Sequence, residues 1–344
     1  MPHPARPTVT LRDVAAAAGV SVATASRVLG GSDRTVAPDN ARRVLEAAAA
    51  LHYTADAAAR AMRRRSDAIA LIADDLTTSS IAVTVAAMER RARLADAFVT
   101  VSQTRGDPEK QLSTVRAVRA FRPRALVLTS SRISPATAGG RLLDELLAYE
   151  SQGGRVVLFG GIDMPFDSIG VDDEGSAALL GAHVRALGHR HVAILAGPAS
   201  VAFAASRTAG FVSGLGSSVT VERVPCEVTR DGGYAAAAGL VAAGLTGIEA
   251  VMAVNDAVAV GALAAFLDAG VPVPSRISLT GFDDVPLSSD VFPRLTTVAL
   301  PFAAIGERLT DLALLTGPPS PGRESVHGTL IPRESTRAAP APSN

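Results

Sequence analysis

The sequence has little cysteine, few aromatic residues and no tryptophan. Cys226 is the one cysteine among 344 residues, so no disulfide can form within a single chain, and a reducing compartment fits this composition. Aromatic residues make up 4% of the chain, whereas apolar residues make up 48%. A large core must therefore be filled by alanine, valine, leucine and isoleucine, and the length allows two or three domains.

Long hydrophobic runs and targeting signals are missing as well. Residues 1–6 are not followed by the continuous apolar segment of a signal peptide. The longest apolar run, residues 257–267, is too short to cross a bilayer as a helix. We therefore expect a soluble, cytoplasmic protein that has no membrane partner.

The formal net charge is zero, but the charges are unevenly distributed. Residues 1–65 hold ten arginines and five acidic residues, a net charge of +5, so the remainder carries −5. A basic segment joined to an acidic one is typical of a protein whose head binds a polyanion. A solvated surface on a small domain explains the same charges equally well, so charge alone leaves both interpretations open.

The residue pattern changes after about residue 65. Short helices are predicted at 11–18, 22–29 and 39–51. Beyond them, short apolar runs alternate with amphipathic helices, which predicts parallel, doubly wound sheets. The predicted strands cover 68–73, 98–101, 125–128, 156–159, 168–171, 192–195, 219–224, 250–254 and 277–280. The predicted helices lie near 80–97, 108–121, 139–152, 173–187, 201–214, 231–244, 256–269 and 302–315.

These strands are too many for one compact unit, so we predict an α/β core of two subdomains behind an α-helical head. The chain is expected to pass into the second subdomain near residues 164–169 and to return near 296–301. The predicted parts are a helix-turn-helix domain at 1–52, a linker at 53–66, a first core subdomain at 67–165 and 297–325, a second at 166–296 and 326–336, and a disordered tail at 337–344.

Residues 10–21 carry the sharpest local pattern. Thr10 and Asp13 have the spacing of a capping box at the start of a helix. Gly19 permits the left-handed turn that ends this helix, and Ser21 caps the next one. Two short helices joined in this way predict a helix-turn-helix whose second helix enters the DNA major groove. An ordinary three-helix bundle is the alternative.

The second predicted helix leaves several side chains facing outward. Arg27 can reach a guanine edge or a phosphate. Val22 and Ala23 offer only apolar contact, for instance to a thymine methyl group. Thr24 and Ser26 are placed to touch phosphate. The alternative for each of these side chains is simple solvation.

Several motifs, in order along nearly the whole chain, resemble the LacI/GalR family of bacterial transcription regulators. They are VTLRDVA (9–15), GVS (19–21), TASRVL (24–29), RRVLEAA (42–48), ALGHRHVA (186–193), AGP (196–198), RTAGF (207–211), ND (255–256), GFDD (281–284), LTTV (295–298) and PREST (332–336), the last matching the family's closing strand. The resemblance implies a periplasmic-binding-protein-like core and a homodimer. It also implies a repressor that binds a palindromic operator in double-stranded DNA under the control of a small effector.

The resemblance further implies a hinge helix at residues 53–62 that folds on DNA. In the family this helix pushes an apolar wedge into the minor groove, and Met62 stands at the wedge position. Asp56 departs from the family pattern, because an acid is unfavourable near phosphates. A plain alanine-rich linker helix is the alternative. The predicted DNA-contacting residues are Thr10, Ser21, Val22, Ala23, Thr24, Ser26, Arg27, Tyr53, Ala57, Ala58, Arg60 and Met62.

The effector is expected in the cleft between the subdomains, at the carboxyl ends of the strands. Position after a strand selects Asp75, Thr78, Ser80 and Ile81 behind the first strand, and Thr129 behind the third. The family often carries aromatic residues near Ser80 and Ile81, and they are absent from this sequence. A wall for stacking a hexose is therefore missing at this place.

By resemblance, Arg207, Asn255 and Asp283 match the family's ligand contacts. A guanidinium, an amide and a carboxylate together suit a polyhydroxylated ligand, because each makes paired hydrogen bonds to adjacent hydroxyls. We therefore expect a saccharide effector. A surface ion pair is the alternative for Arg207, and a turn cap is the alternative for Asp283.

Enzyme motifs are missing from the sequence. It has no G-x-S-x-G, Walker A or G-x-G-x-x-G pattern, so we expect neither an enzyme nor a bound cofactor. His189 and His191 lack a third metal ligand nearby, which favours a packing or capping role. The alternative function is solute binding in transport, which the lack of a signal peptide and the helix-turn-helix pattern argue against.

Overall fold

The computed structural model describes residues 9–29, 36–51, 53, 66–129, 139–160, 164–318 and 320–339. The chain divides into two compact units. One consists of Met1–Ser66 and Ala120–Pro123, and the other consists of Asp67–Arg119 and Arg124–Asn344.

The first unit contains the three predicted helices. These are α1 (Leu11–Ala17), α2 (Val22–Leu29) and α3 (Pro38–Ala50). Their apolar faces meet in a small core, because residues spaced three or four apart lie on one side of a helix. The buried members are Val14, Ala15, Ala18, Ala25, Val44 and Ala48. Gly19 adopts a φ of 63°, the left-handed conformation that ends α1.

The second unit alternates strands and helices. Its strands are β1 (Ala68–Ala73), β2 (Phe98–Gln103), β3 (Ala125–Thr129), β4 (Arg155–Phe159), β5 (Asp167–Val171), β6 (His191–Ala196), β7 (Thr220–Pro225), β8 (Ala250–Ala253), β9 (Ser278–Thr280), β10 (Thr297–Ala299), β11 (Arg323–Val326) and β12 (Thr329–Ile331). Its helices are α4 (Ser79–Arg93), α5 (Pro108–Arg119), α6 (Gly139–Ser151), α7 (Asp173–Ala186), α8 (Ala202–Leu215), α9 (Arg230–Ala242), α10 (Asp256–Asp268), α11 (Leu287–Asp290) and α12 (Phe302–Leu314).

Two parallel sheets form the framework of this unit, as the sequence predicted. The six-stranded sheet has the order β11-β5-β4-β3-β1-β2, and the four-stranded sheet has the order β7-β6-β8-β9. Each β-α-β connection places a helix on a sheet face, which buries the central strands on both sides. In the first sheet α4 packs against α12, and beside the second sheet α7 packs on α8 and α9 on α10.

The chain leaves the first sheet later than the sequence predicted. Strand β5, residues 167–171, was assigned to the second subdomain, but it pairs in parallel with β4 and β11 of the first sheet. The exit follows at Asp172, whose side chain accepts a hydrogen bond from Gly175 N and caps α7. A strand signal close to a predicted boundary fits either sheet until its neighbours are known, which explains the difference.

The final part of the chain also differs from expectation. The closing strand is β12, which pairs antiparallel with β10, and the predicted strand at 332–336 is irregular. Pro332 explains the end of β12, because it has no N–H for a further ladder bond. The tail predicted from residue 337 is partly ordered, since Arg337 N donates to Ser278 Oγ at 3.2 Å and Ala339 N donates to Leu187 O at 2.7 Å. Residues 340–344 lie outside the described part.

Among the described residues, no helix combines the length and apolar character needed to cross a membrane.

Candidate nucleic-acid interface and effector site

The first helix of the head begins with the capping box that the sequence predicted. Thr10 N and Thr10 Oγ1 each donate to Asp13 Oδ2 at 2.7 Å, and Asp13 N donates back to Thr10 Oγ1 at 3.4 Å. The hydrogen bonds from Thr10, the backbone one first, lower the pKa of the Asp13 carboxyl. Thr10 therefore serves as a helix cap in this structure.

The turn into α2 is closed by two side chains. Thr24 N donates to Ser21 Oγ at 3.1 Å, and the hydroxyls of Ser21 and Thr24 lie 2.9 Å apart. Ser21 thus satisfies an amide that the helix start would leave without a partner. The result is a rigid start for α2, which fixes the direction of its outer face.

The outer face of α2 presents the residues that the sequence selected. Val22 is 44% exposed, and Ala23 and Arg27 are exposed as well. Thr24 and Ser26 are half-buried, whereas Ala25 is fully buried in the head core. One apolar patch and one cation therefore stand together on a short capped helix.

Arg27 differs from the arginines of α3. Arg42 Nη1 lies 3.2 Å from Glu46 Oε1, and Arg43 Nη2 donates to Asn40 Oδ1 at 2.7 Å. Arg27 has no ion-pair partner among the residues that the structure describes in the head. Its guanidinium is therefore available to a base edge or a phosphate.

Tyr53 is the one predicted linker contact that the structure describes. Tyr53 N donates to Ala48 O at 2.8 Å, and its side chain packs half-buried against the core of the head. The other predicted linker contacts lie outside the described residues. They are Ala57, Ala58, Arg60 and Met62.

Arg207 forms the centre of a buried polar cluster in the second unit. Only 5% of the residue is exposed. Its Nε donates to Asp173 Oδ1 at 2.7 Å, its Nη1 donates to Val254 O at 2.9 Å, and its Nη2 lies 2.9 Å from Asp283 Oδ1. Burial lowers the pKa of Arg207, but the carboxylates of Asp283 and Asp173 raise it by more, so the pKa lies above its ordinary value.

The Asp283 carboxylate sits on a strained loop. Asp283 has a φ of 105° and Asp284 a φ of 53°, both in the region that favours glycine. Burial raises the pKa of Asp283 to about 6, although the Arg207 cation opposes this shift. Backbone strain at two consecutive non-glycine residues is typical of a site whose side chains must be held in one place.

Asp256 holds this loop in position. Its Oδ2 accepts from Val285 N at 3.0 Å, its Oδ1 accepts from Thr297 Oγ1 at 2.8 Å, and its own amide donates to Phe282 O at 2.8 Å. Burial raises the pKa of Asp256 to about 8, and the neighbouring Asp283 adds to the shift. The loop, α10 and β10 are thereby joined at one buried carboxyl group.

Asn255 occupies the start of α10. Its Oδ1 accepts a hydrogen bond from Val258 N at 2.9 Å, which caps the helix. This bond orients the amide and leaves its two N–H groups outside the cap. Asn255 directly follows Val254, whose carbonyl oxygen accepts a hydrogen bond from Arg207 Nη1. The Asn255 amide is therefore adjacent in sequence to a member of the Arg207 cluster.

The predicted site residues of the first sheet are partly engaged in local contacts. Asp75 Oδ1 accepts from Thr77 N at 2.8 Å and from Gln103 Nε2 at 3.3 Å. Thr129 Oγ1 accepts from Asp74 N at 2.9 Å, which ties the ends of β1 and β3 together. These contacts place both residues at the carboxyl edge of the first sheet.

The residues at the start of α4 are arranged similarly. Thr78 is the residue before α4, and Ser80 Oγ donates to Thr78 Oγ1 at 3.4 Å. Ser80 O accepts from Thr84 Oγ1 at 2.9 Å. Ile81 packs half-buried against the main core, so its observed contacts are those of a core residue.

Comparison with known proteins identifies the chain's relatives. Residues 10–56 match bacterial regulatory proteins of the lacI family, and residues 182–336 match the periplasmic binding protein-like domain. The HTH-type transcriptional regulator GalR of Escherichia coli is 31% identical over 337 residues, which cover 95% of each chain. The chain belongs to the lacI family. It is a DNA-binding transcription regulator and not an enzyme.

Two further comparisons agree with this family membership. The lactose operon repressor of Escherichia coli is 31% identical, with 96% of this chain and 91% of the repressor covered. The crystal structure of the lac repressor dimer bound to operator and the anti-inducer ONPF superposes with a TM-score of 0.80 and 28% identity. That match covers 96% of this chain and 99% of the repressor chain.

Sequence reasoning missed several members of the Arg207 cluster in this lacI-family chain. Asp173 is an ion-pair partner of Arg207 from a different helix, and no local pattern links the two. The rings of Phe203 and Phe282 lie 4.7 and 4.0 Å from the guanidinium carbon. The available signal was the position of Asp173 in the first turn after a strand, where ligand-contacting residues of α/β sheets are found.

The described residues hold no group of three or more histidine, cysteine, aspartate or glutamate side chains placed to bind a metal ion. His189 is buried, and its Nε2 lies 3.0 Å from Arg337 O. Burial lowers the pKa of His189. Its observed contact is therefore with the tail of the chain.

Proposed function

We propose that this regulator represses transcription from a palindromic operator as a homodimer in the cytoplasm, and that a saccharide bound at the Arg207 cluster changes its operator affinity. The observation that carries the proposal is the exposed face of α2, with Val22, Ala23 and Arg27 on a rigidly capped helix. A dimer would place two such helices in successive major grooves. The lac repressor, to which the chain is similar, was solved as an operator-bound dimer.

The proposed division of the chain into domains follows the two sheets of the core. Residues 1–52 form the DNA-binding head and 53–66 the linker. The first core subdomain comprises 67–171 and 302–326, and the second comprises 172–301 and 327–336. An effector between them acts through its differential affinity for two arrangements of the core, because a ligand that binds both equally shifts nothing.

The effector proposal is supported by the chemistry of the cluster. Asp283 and Asn255 supply a carboxylate and an amide that match adjacent sugar hydroxyls, and Arg207 holds Asp283 in place. Sugars or sugar analogues occur in the solved relatives, including a CelR–cellobiose complex and a LacI family regulator from Enterococcus faecium with bound ribose. The candidate contacts of the first subdomain are Asp75, Thr78, Ser80, Ile81 and Thr129.

Gel-shift titration tests the DNA-binding part of the proposal. The full chain is titrated against promoter fragments that flank its own gene, at low and at physiological salt, because phosphate contacts make affinity salt-dependent. We expect one fragment to bind, and Arg27→Ala to weaken this binding by about 1–3 kcal/mol. Arg42→Ala, at a residue paired with Glu46, is the control and should change affinity far less. Lack of binding to any fragment at low salt would contradict the proposal.

A thermal-shift screen tests the effector part. The panel contains cellobiose, ribose, glucose, galactose and maltose, with adenine and guanine as non-sugar probes. A ligand that binds the folded state alone raises the melting temperature in proportion to the logarithm of its concentration. We expect at least one sugar to do so. A response to the nucleobases alone would overturn the saccharide assignment.

A further inference from the structure

The Arg207 guanidinium is already occupied by the protein. Its three nitrogens contact Asp173 Oδ1, Val254 O and Asp283 Oδ1 at distances of 2.7 to 2.9 Å. A guanidinium that recognises a phosphate or a carboxylate on a ligand normally presents a fork of free donors. Here the fork faces two carboxylates of the protein itself.

Both faces of the guanidinium are covered too. The ring centre of Phe203 lies 4.7 Å from the guanidinium carbon, and that of Phe282 lies 4.0 Å from it. Each ring stabilises the cation in this position by a cation–π contact. The phenyl rings and the carboxylates together confine Arg207, so it serves to hold Asp283 and Asp173 in place.

The charges around this site do not cancel. The carboxylates of Asp173 and Asp283 outnumber the one guanidinium between them, which leaves one negative charge in excess. Asp256 adds none at neutral pH, because burial raises its pKa to about 8. The adjacent Asp284 is neutralised by Arg333, whose Nη1 lies 2.7 Å from its Oδ1. A ligand therefore meets a negative field, which is strong where water is excluded.

One carboxylate oxygen has unused hydrogen-bonding capacity. Asp283 Oδ1 is buried, and Arg207 Nη2, 2.9 Å away, is its one partner among the described residues. A carboxylate oxygen accepts up to two hydrogen bonds, so a second donor can be added at this atom. A ligand hydroxyl or ammonium group supplies that donor, whereas a ligand phosphate or carboxylate supplies only further acceptors.

We infer that the effector site selects by charge: it binds uncharged and amino sugars and excludes sugar phosphates and uronic acids. This inference rests on the proposed function, since it concerns the sugar bound at the Arg207 cluster. It adds that Asp283 is the specificity-determining acceptor and that Asp173 sets the sign of the field.

Isothermal titration calorimetry of the full chain at pH 7.0 tests the inference with six probes. They are glucose, glucosamine and glucuronate, and galactose, galactosamine and galacturonate. Within the series that binds, we expect the amino sugar to bind at least as tightly as its neutral parent. The uronate should bind at least about tenfold more weakly, because it brings a second negative charge beside Asp283.

Matched variants test the cause of this selectivity. Asp173→Asn removes the excess charge and retains an oxygen for Arg207 Nε, so the uronate should recover about tenfold relative to the neutral parent. Glu174→Gln makes the same change in charge at the next residue, which is exposed, and should leave the ratio unchanged. The wild-type ratio tests the inference even where Asp173→Asn fails to fold.

The outcomes are distinguishable. A uronate that binds more tightly than its neutral parent overturns the charge selection and leaves the sugar effector standing. Binding by none of the six probes, together with a negative thermal-shift screen, overturns the sugar effector and with it this inference. Equal recovery in Asp173→Asn and Glu174→Gln would show that long-range charge, and not the Arg207 cluster, sets the preference.

Discussion

Arg207 is the residue on which the contacts of the buried polar cluster converge. Arg207→Met would leave Asp173 and Asp283 buried beside each other without their cation. We expect the free energy of unfolding to fall by about 3–5 kcal/mol, the usual result of breaking a buried ion pair from one side. Urea denaturation followed by circular dichroism measures this loss.

A half-exposed ion pair provides the control for Arg207. Arg308 contacts Glu324 with 48% and 40% of the two side chains exposed. Arg308→Met should cost at most about 1 kcal/mol, because water screens such pairs. Equal losses in the two variants would contradict the description of the Arg207 cluster as a buried network.

Asp256 gives the protein a distinctive pH dependence of stability. Burial raises its pKa from 3.8 to about 8 in the folded chain. The folded state therefore binds the extra proton between these values, so the contribution of Asp256 is fully present below pH 3.8 and is lost as the pH rises through 8. The raised pKa of Asp283 contributes to stability in the same direction, but this contribution is lost as the pH rises through about 6.

Asp256 titrates between pH 6.5 and 8.0, where the lowered pKa values of His183 and His189 also contribute, so its share is the difference between the wild type and Asp256→Asn. We expect this share to lower the free energy of unfolding by at most about 1.4 kcal/mol per pH unit. Asp256→Asn should remove this slope, since an amide can accept from Val285 N and donate to Thr297 Oγ1. Urea titrations at both pH values provide the comparison, and identical slopes for the two proteins would count against a protonated Asp256.

The Arg207 cluster also shows how much of the candidate site could be predicted from the sequence. Arg207, Asn255 and Asp283 were selected by their resemblance to family motifs. Arg207 contacts Asp283, whereas the Asn255 side chain caps α10 next to Val254, whose carbonyl binds Arg207. Asp173 was not selected, because its role depends on burial and on a partner distant in sequence. The fold brings these groups together, and no spacing along the chain encodes their proximity.

At the scale of elements, α7 and α8 meet backbone to backbone. A Cβ on Gly214 would overlap Ala178 O, and one on Gly210 would overlap Glu174 O. The absence of side chains at these positions lets the two helices approach closely and bury their apolar faces beside the second sheet. The packing therefore depends on glycine within a helix, where glycine is otherwise unfavourable.

Gly214→Ala tests this close approach. We expect it to lower the free energy of unfolding by about 1–3 kcal/mol, because the new methyl group forces the helices apart. Gly239 in α9 has no atom within 4 Å of a built Cβ, so Gly239→Ala should stabilise by about 0.5–1 kcal/mol. Thermal melts should show a lower melting temperature for Gly214→Ala and a higher one for Gly239→Ala. A stabilising Gly214→Ala would contradict the close packing of α7 and α8.

The elements that the sequence predicted are those with strong periodicity. Helices such as α4 and α7 and strands such as β1 and β3 carry continuous apolar patterns, and the structure places them within a few residues of expectation. Strand β11 was missed because its sequence, Arg323–Val326, is mostly polar and lies at an exposed sheet edge. Strands β10 and β12 have three residues each, too few to show a period.

At the scale of the whole molecule, the proposed function requires that the linker between the DNA-binding head and the core contributes to operator binding. The proposed wedge residue of that linker is Met62, which the family resemblance selects. Met62→Gly should weaken operator binding by tenfold or more at fixed salt, because it removes an apolar wedge from the minor groove. Met62→Leu restores the family's usual residue and should retain affinity, and gel-shift titration compares the two.

Equal operator affinity for Met62→Gly and Met62→Leu would exclude a wedge at this position. The head would then act through α2 and dimer spacing alone.

Sugar binding in the core is proposed to change the affinity of the head for DNA. Fluorescence anisotropy measures it most directly, with a labelled operator fragment titrated by the full chain with and without the sugar that stabilises it. We predict a change in operator Kd of about fivefold or more, the usual size of an allosteric coupling, in the wild type. Asp283→Asn should lose this change while still binding the operator. A sugar that binds the core and leaves the wild-type operator Kd unchanged would contradict the account.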